Sequence, residues 1–168
     1  MEKNNHQELE VMELGSGFAF SERLVFTGLE FSTDLEALKY LASELVDQNY
    51  VTDEFPEAVV AREQKYPTGL PYEGIRIAIP HADSKYVNHT AIAIGILKKP
   101  VQFSSMDDFN KKLDVGIIVM LAMKEPHGQI EMLQKIVELI QNQELVKTIS
   151  ESESKEEIVQ DVLSVLAS

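Results

Sequence analysis

At 168 residues, 44% hydrophobic and 26% charged, the chain has the size and balance of one globular domain, and with 7% aromatics and no tryptophan its core must be aliphatic. Lys and Arg number 15 against 28 Asp and Glu, a formal net charge of −13, which excludes nucleic acid and anionic membrane as partners for want of a basic face and favours a basic protein. The absence of cysteine excludes disulfides, thiol catalysis and thiolate metal sites.

The first segment, "MEKNNHQELEVMELG", is acidic and has no apolar run, so neither a signal peptide nor membrane insertion is expected, and the protein is expected in the cytoplasm. Residues 1–20 read as a loosely ordered lead-in to a single domain over 21–168. "RLVFTGLEF" predicts a short strand ending in a glycine turn. Leu35, Leu38, Leu41, Ala42, Leu45 and Val46 then fall at helical spacing behind a Thr33/Glu36 capping box.

A second helix is predicted in "VTDEFPEAVVAREQKYP", with Thr52 or Asp53 as its cap and Pro67 as its stop. Its stripe through Phe55, Ala58 and Val59, continued, puts Arg62 and Tyr66 on the same face. After the turn-rich "TGLPYEG", "IRIAIP" and "TAIAIGIL" alternate as strands, the latter with Ile92, Ile94 and Ile96 opposite the small Ala91, Ala93 and Gly95. "LDVGIIVMLAM" is apolar throughout and predicts a central strand covered on both sides.

The remainder is helical: a stripe of Ile130, Leu133, Val137 and Ile140 after "EPHG", a short helix in "QELVKTISES", and a last helix capped by Ser154 and Glu157. The order of elements implies an α/β fold: a single domain, its mixed β-sheet flanked by helices on both faces.

Four histidines could carry chemistry. His6 and His89 lie in polar segments where a solvated side chain is the ordinary reading. His81 follows Pro80, which cannot donate to a sheet ladder and holds Ile79 extended, so the imidazole stands at a strand's end, where α/β sites are commonly built. A histidine that simply ends a strand weighs equally at this point. Arg62 on an apolar stripe calls for an anion, a carboxylate partner or an escape to water. His127 falls between a buried strand and a helix start, where free N–H groups welcome an anion, or where it is merely solvated. Two imidazoles and an arginine at a sheet's mouth would suit phosphoryl transfer to a ring nitrogen, and no cofactor or metal is called for.

The stretch "REQKYPTGLPYEGIRIAIPHAD" resembles the enzyme IIA components of the bacterial phosphoenolpyruvate-dependent sugar phosphotransferase system, of the fructose/mannitol type, through its Arg-Glu pair, "PTG" and "IAIPH". The resemblance runs from about Arg23 to Leu166. It implies that His81 accepts phosphate from the phosphohistidine of the carrier HPr and passes it to an enzyme IIB partner, with Arg62 polarising the phosphoryl group. It also implies a structural role for Glu63 and a supporting hydrogen bond from Thr68.

Family members often carry a second histidine before a leucine-rich helix. Aligned on "IEMLQKI", Gln129 takes that place, so either His127 or Gln129 would support His81. The segments "LPYEGIRIAIPHAD" and "MKEPHGQIEML" lean toward the galactitol branch. Because such IIB partners accept phosphate on cysteine, a chain without one would be the donor half, with IIB and the IIC membrane permease as separate chains. Two rivals stand beside this reading: a regulatory module that docks to a target according to its phosphorylation state, and a zinc hydrolase using His81, Asp83 and His127.

Overall fold

The computed structural model describes residues 17–167. Its elements in chain order are β1 (Val25–Leu29), α1 (Asp34–Asp47), α2 (Phe55–Lys65), β2 (Arg76–Ala78), β3 (Ala91–Ser104), β4 (Lys112–Ala122), α3 (Pro126–Gln141), α4 (Gln143–Glu151) and α5 (Lys155–Leu166). The strands form one mixed sheet in the order β1-β3-β4-β2. An antiparallel β3–β4 hairpin fills the centre, and β1 and β2 lie parallel to their neighbours at the two edges. The chain is therefore the single α/β domain that its pattern predicts.

Residues 91–97 of β3 are buried at every position, which requires cover on both faces of the sheet. The small face of this strand lets α1 approach closely: a Cβ on Gly95 would stand 3.2 Å from Leu41 Cδ1. Helix α1 starts where expected, with Thr33 Oγ1 accepting the Glu36 N–H at 3.3 Å, and it buries Leu38, Leu41 and Leu45. Ser154 caps α5 in the same way. Phe18 and Phe20 are fully buried, so the packed body reaches back to residue 18; residues 1–16, which include His6, lie outside the described residues.

Four local expectations need correction. The cap of α2 is Glu54, without a side-chain bond, because the Thr52 carbonyl accepts the Phe55 N–H in a turn that carries the chain past Thr52 and Asp53. The buried row of α2 is Phe55, Val59 and Glu63, an i, i+4, i+8 line, which leaves Arg62 and Tyr66 exposed. Strand β3 does not end at Leu97 but runs to Ser104, its register shifting between Ile96 and Val101 where Pro100 removes a ladder donor. Helix α3 buries Met132, Ile136, Leu139 and Ile140, and Ile130 is 62% exposed. Its apolar residues spread over about half its circumference, and packing selects a row rotated from the one expected.

Candidate active site

Two neighbouring strands build the site's floor. Pro80 ends the β2 ladder as a donor, yet its carbonyl accepts the Leu121 N–H of β4 at 2.9 Å, and His81 pairs with Leu121 as a parallel bridge. The backbone at His81 is thus fixed to the most buried strand in the molecule. On the outer side of β2, the segment 68–70 runs antiparallel: Leu70 N–H donates to Ile77 O at 3.0 Å, and Ile79 N–H donates to Thr68 O at 3.2 Å.

The His81 ring has one bond that sets its chemistry. Nδ1 lies 2.9 Å from Ile79 O, and because a carbonyl can only accept, Nδ1 carries the proton and Nε2 keeps its lone pair. Burial pushes the His81 pKa below that of a free imidazole; the bond to Ile79 opposes this, and the nearby Arg62 charge adds to it. The ring is therefore neutral and nucleophilic at neutral pH.

Two open clefts meet here, one of about 160 Å³ lined by Arg62, His81, Ala82, Asp83, Ser84 and Pro126. The other, of about 360 Å³, is bounded by α2, the Pro67–Thr68 turn and the β3–β4 loop, and Arg62 and His81 line it too. Arg62 has no carboxylate partner among the described residues; its guanidinium lies 5.3 Å from the Tyr66 ring centroid. A free, water-exposed guanidinium beside a neutral imidazole can meet an incoming anion at little cost.

Glu63 and Thr68 sit behind this pair. The buried Glu63 carboxylate accepts Thr68 N–H at 2.8 Å on one oxygen and Thr68 Oγ1–H at 2.7 Å on the other. Burial pushes its pKa up to about 7, against the two Thr68 bonds, which lower it. His127, exposed on the first turn of α3, lines neither cleft, although its neighbour Pro126 lines one. The side chain of Gln129 lies outside the described residues. His89 is exposed in its loop. No group of three or more His, Cys, Asp or Glu among the described residues is placed to hold a metal ion, so His81, Asp83 and His127 do not assemble the zinc site of the rival reading.

The β3–β4 loop at this site has no signature in the local residue pattern. Met106, Asp107 and Phe109 line the larger cleft, and Tyr66, Met106 and Phe109, each about half exposed, form an apolar rim beside His81. A strand that ends at Leu97, as its alternation predicts, does not imply a long hairpin whose loop reaches the larger cleft. The loop is held by Gly69, whose N–H donates to Ser104 O at 3.2 Å and whose carbonyl accepts Met106 N–H at 2.8 Å. A Cβ at Gly69 would stand 2.7 Å from that Ser104 oxygen, so the approach needs glycine.

Fold and site together define an α/β domain that offers one imidazole nitrogen in shallow, open clefts, within reach of a group carried by a second macromolecule. Residues 18–164 match the family described as "Phosphoenolpyruvate-dependent sugar phosphotransferase system, EIIA 2". The chain belongs to this family of phosphoryl carriers and is a phosphotransferase component. It is 30% identical over 125 residues to the galactitol-specific EIIA component of the PTS system of Escherichia coli strain K12, covering 74% of this chain and 83% of that protein. It is 32% identical over 130 residues to the fructose-specific EIIA component of Haloferax volcanii, covering 76% and 80%. In fold it is similar to enzyme IIAMTL of Escherichia coli as solved in complex with phosphorylated enzyme IIBMTL, at a TM-score of 0.69 and 23% identity over 89% of this chain and 98% of that one. Among the described residues no helix is long and apolar enough to cross a membrane.

Proposed function

We propose that the chain takes a phosphoryl group from phosphohistidine on HPr onto Nε2 of His81 and hands it to a separate enzyme IIB. The observation that carries this reading is the Nδ1–H bond to Ile79 O, which leaves Nε2 as the nucleophile in the cleft that Arg62 lines. The P–N bond to the donor breaks as a P–N bond to Nε2 forms, and Arg62 stabilises charge on the phosphoryl oxygens in flight. The open clefts suit a protein-borne group better than a small substrate, which an enzyme would enclose. The protein works in the cytoplasm beside a IIC permease on another chain.

The sugar is proposed to be galactitol, on the 30% identity to the galactitol-specific component and on the "MKEPHGQIEML" segment. The sugar itself would bind the permease, so this choice acts only through the partner IIB.

The test is intact mass after incubation with phosphoenolpyruvate, enzyme I and HPr, on wild type, His81→Ala and His127→Ala. A single acid-labile phosphate is expected on wild type and on His127→Ala and none on His81→Ala. No uptake by wild type would overturn the carrier reading and favour a regulatory module. Discharge to a galactitol-type IIB is expected to outpace discharge to a fructose-type IIB, and the reverse order would refute the sugar.

A further inference from the structure

We propose that Glu63 is a positioning residue for His81, acting through Thr68 and the backbone of Ile79. Among the described residues Glu63 is the one ionisable side chain that is buried, at 5% exposure, and it touches neither cleft at His81. A buried carboxylate is unfavourable unless its oxygens are satisfied, and here both bond to one residue, Thr68.

From Thr68 the connection continues in two steps. The Thr68 carbonyl accepts the Ile79 N–H at 3.2 Å, and the Ile79 carbonyl accepts the His81 Nδ1–H at 2.9 Å. Helix α2 is thereby tied to the imidazole by a continuous run of hydrogen bonds, each of which orients the next. The carbonyl that selects the His81 tautomer is held on one side by β4, through Leu121 N–H and Pro80 O, and on the other by Thr68. Without Glu63, Thr68 loses the side-chain anchor that keeps its peptide in line with Ile79. The imidazole can then rotate or exchange tautomers, which puts a proton on Nε2 and blocks attack.

A carboxylate serves because it offers two acceptors in one plane, matching the Thr68 N–H and hydroxyl together. Charge is not essential to that geometry. An amide at residue 63 can accept the N–H with its oxygen and donate to the hydroxyl oxygen with its nitrogen. The charged groups facing Glu63 are Asp34 on α1, Lys112 on β4 and Arg62 on its own helix, and each variant below leaves all three in place.

The experiment compares wild type, Glu63→Gln, Glu63→Met and Thr68→Val. Glu63→Met replaces a buried charge with an apolar chain of similar length and is expected to fold; Thr68→Val keeps the shape of Thr68 and removes only its hydroxyl. The first readout is the tautomer of His81 from the ¹⁵N shifts of its ring nitrogens. The second is the kinetics of phosphoryl uptake from phospho-HPr. Wild type and Glu63→Gln should show Nδ1–H alone and similar rates. Glu63→Met and Thr68→Val should show a mixture containing Nε2–H, and kcat should fall about tenfold with KM for HPr little changed, as for other groups that orient a working histidine. A single Nδ1–H tautomer with wild-type kcat in both Glu63→Met and Thr68→Val, or a loss confined to KM, would overturn the proposal. The kinetic arm rests on the carrier reading and the tautomer arm does not: a tautomer shift in a protein that takes up no phosphate would sink that reading and leave the positioning role standing.

Discussion

His81 was legible as a candidate because Pro80 marks where the strand must stop donating, whereas Arg62 was singled out for an apolar stripe that it does not share, since the buried row of α2 runs through Phe55, Val59 and Glu63 and leaves Arg62 in water. Glu63 was legible only through the family resemblance and not from the residue pattern, and the reason is energetic. A carboxylate in a buried helical row looks too costly to predict, and what offsets it is Thr68, five residues on and beyond Pro67. The cost has a consequence for how the group binds its proton. Burial raises the folded pKa of Glu63 from 4.5 to about 7, so the folded state binds the proton more tightly than the unfolded chain. The stability tied to that proton is fully present below pH 4.5 and is lost as pH rises through about 7, a change on the order of 3 kcal/mol. Glu63→Gln removes this dependence. It should match wild type in urea at pH 5 and exceed it at pH 8, and a variant no more stable than wild type at pH 8 would mean that the buried carboxylate is not penalised.

The elements that could be read with the clearest boundaries are the two helices whose first turns carry a capping box. Thr33 and Ser154 each accept the N–H three residues on, as their spacing requires. Thr33→Ala should therefore lower stability by about 1 kcal/mol, measured by urea unfolding, and an unchanged midpoint would show that packing of Leu38, Leu41 and Leu45 alone sets where α1 begins. Elements whose pattern is interrupted or over-supplied could not be read so far. Lys98, Lys99 and Pro100 break the alternation of β3, yet the ladder resumes at Val101 because β4 is there to pair with it, a partner invisible in a local window. Helix α3 has more apolar residues than one face can hold, so its sequence permits several rows and only packing chooses among them.

At the scale of the whole molecule, the fold class followed from the order of elements, but the assembly of the site did not. Residues 62, 81, 106, 107 and 109 come from a helix, a strand end and a hairpin loop, and only the first two lie in one recognisable stretch. The net charge of −13 has a kinetic consequence that does not depend on any one contact. Transfer from a basic donor protein should slow with added salt, by about tenfold between 0.05 and 0.5 M, with the loss in kcat/KM. A rate indifferent to salt would mean that the apolar rim of Tyr66, Met106 and Phe109 guides encounter by itself. The bond from His81 Nδ1–H to Ile79 O also bears on the economy of protons in the relay. If that proton stays in place throughout, the ring is neutral before it receives the phosphoryl group, an imidazolium while it holds it, and neutral again once it has passed it on. Both exchanges then proceed without a proton entering from or leaving to water, and the phosphoryl group can move in either direction with its transfer potential intact.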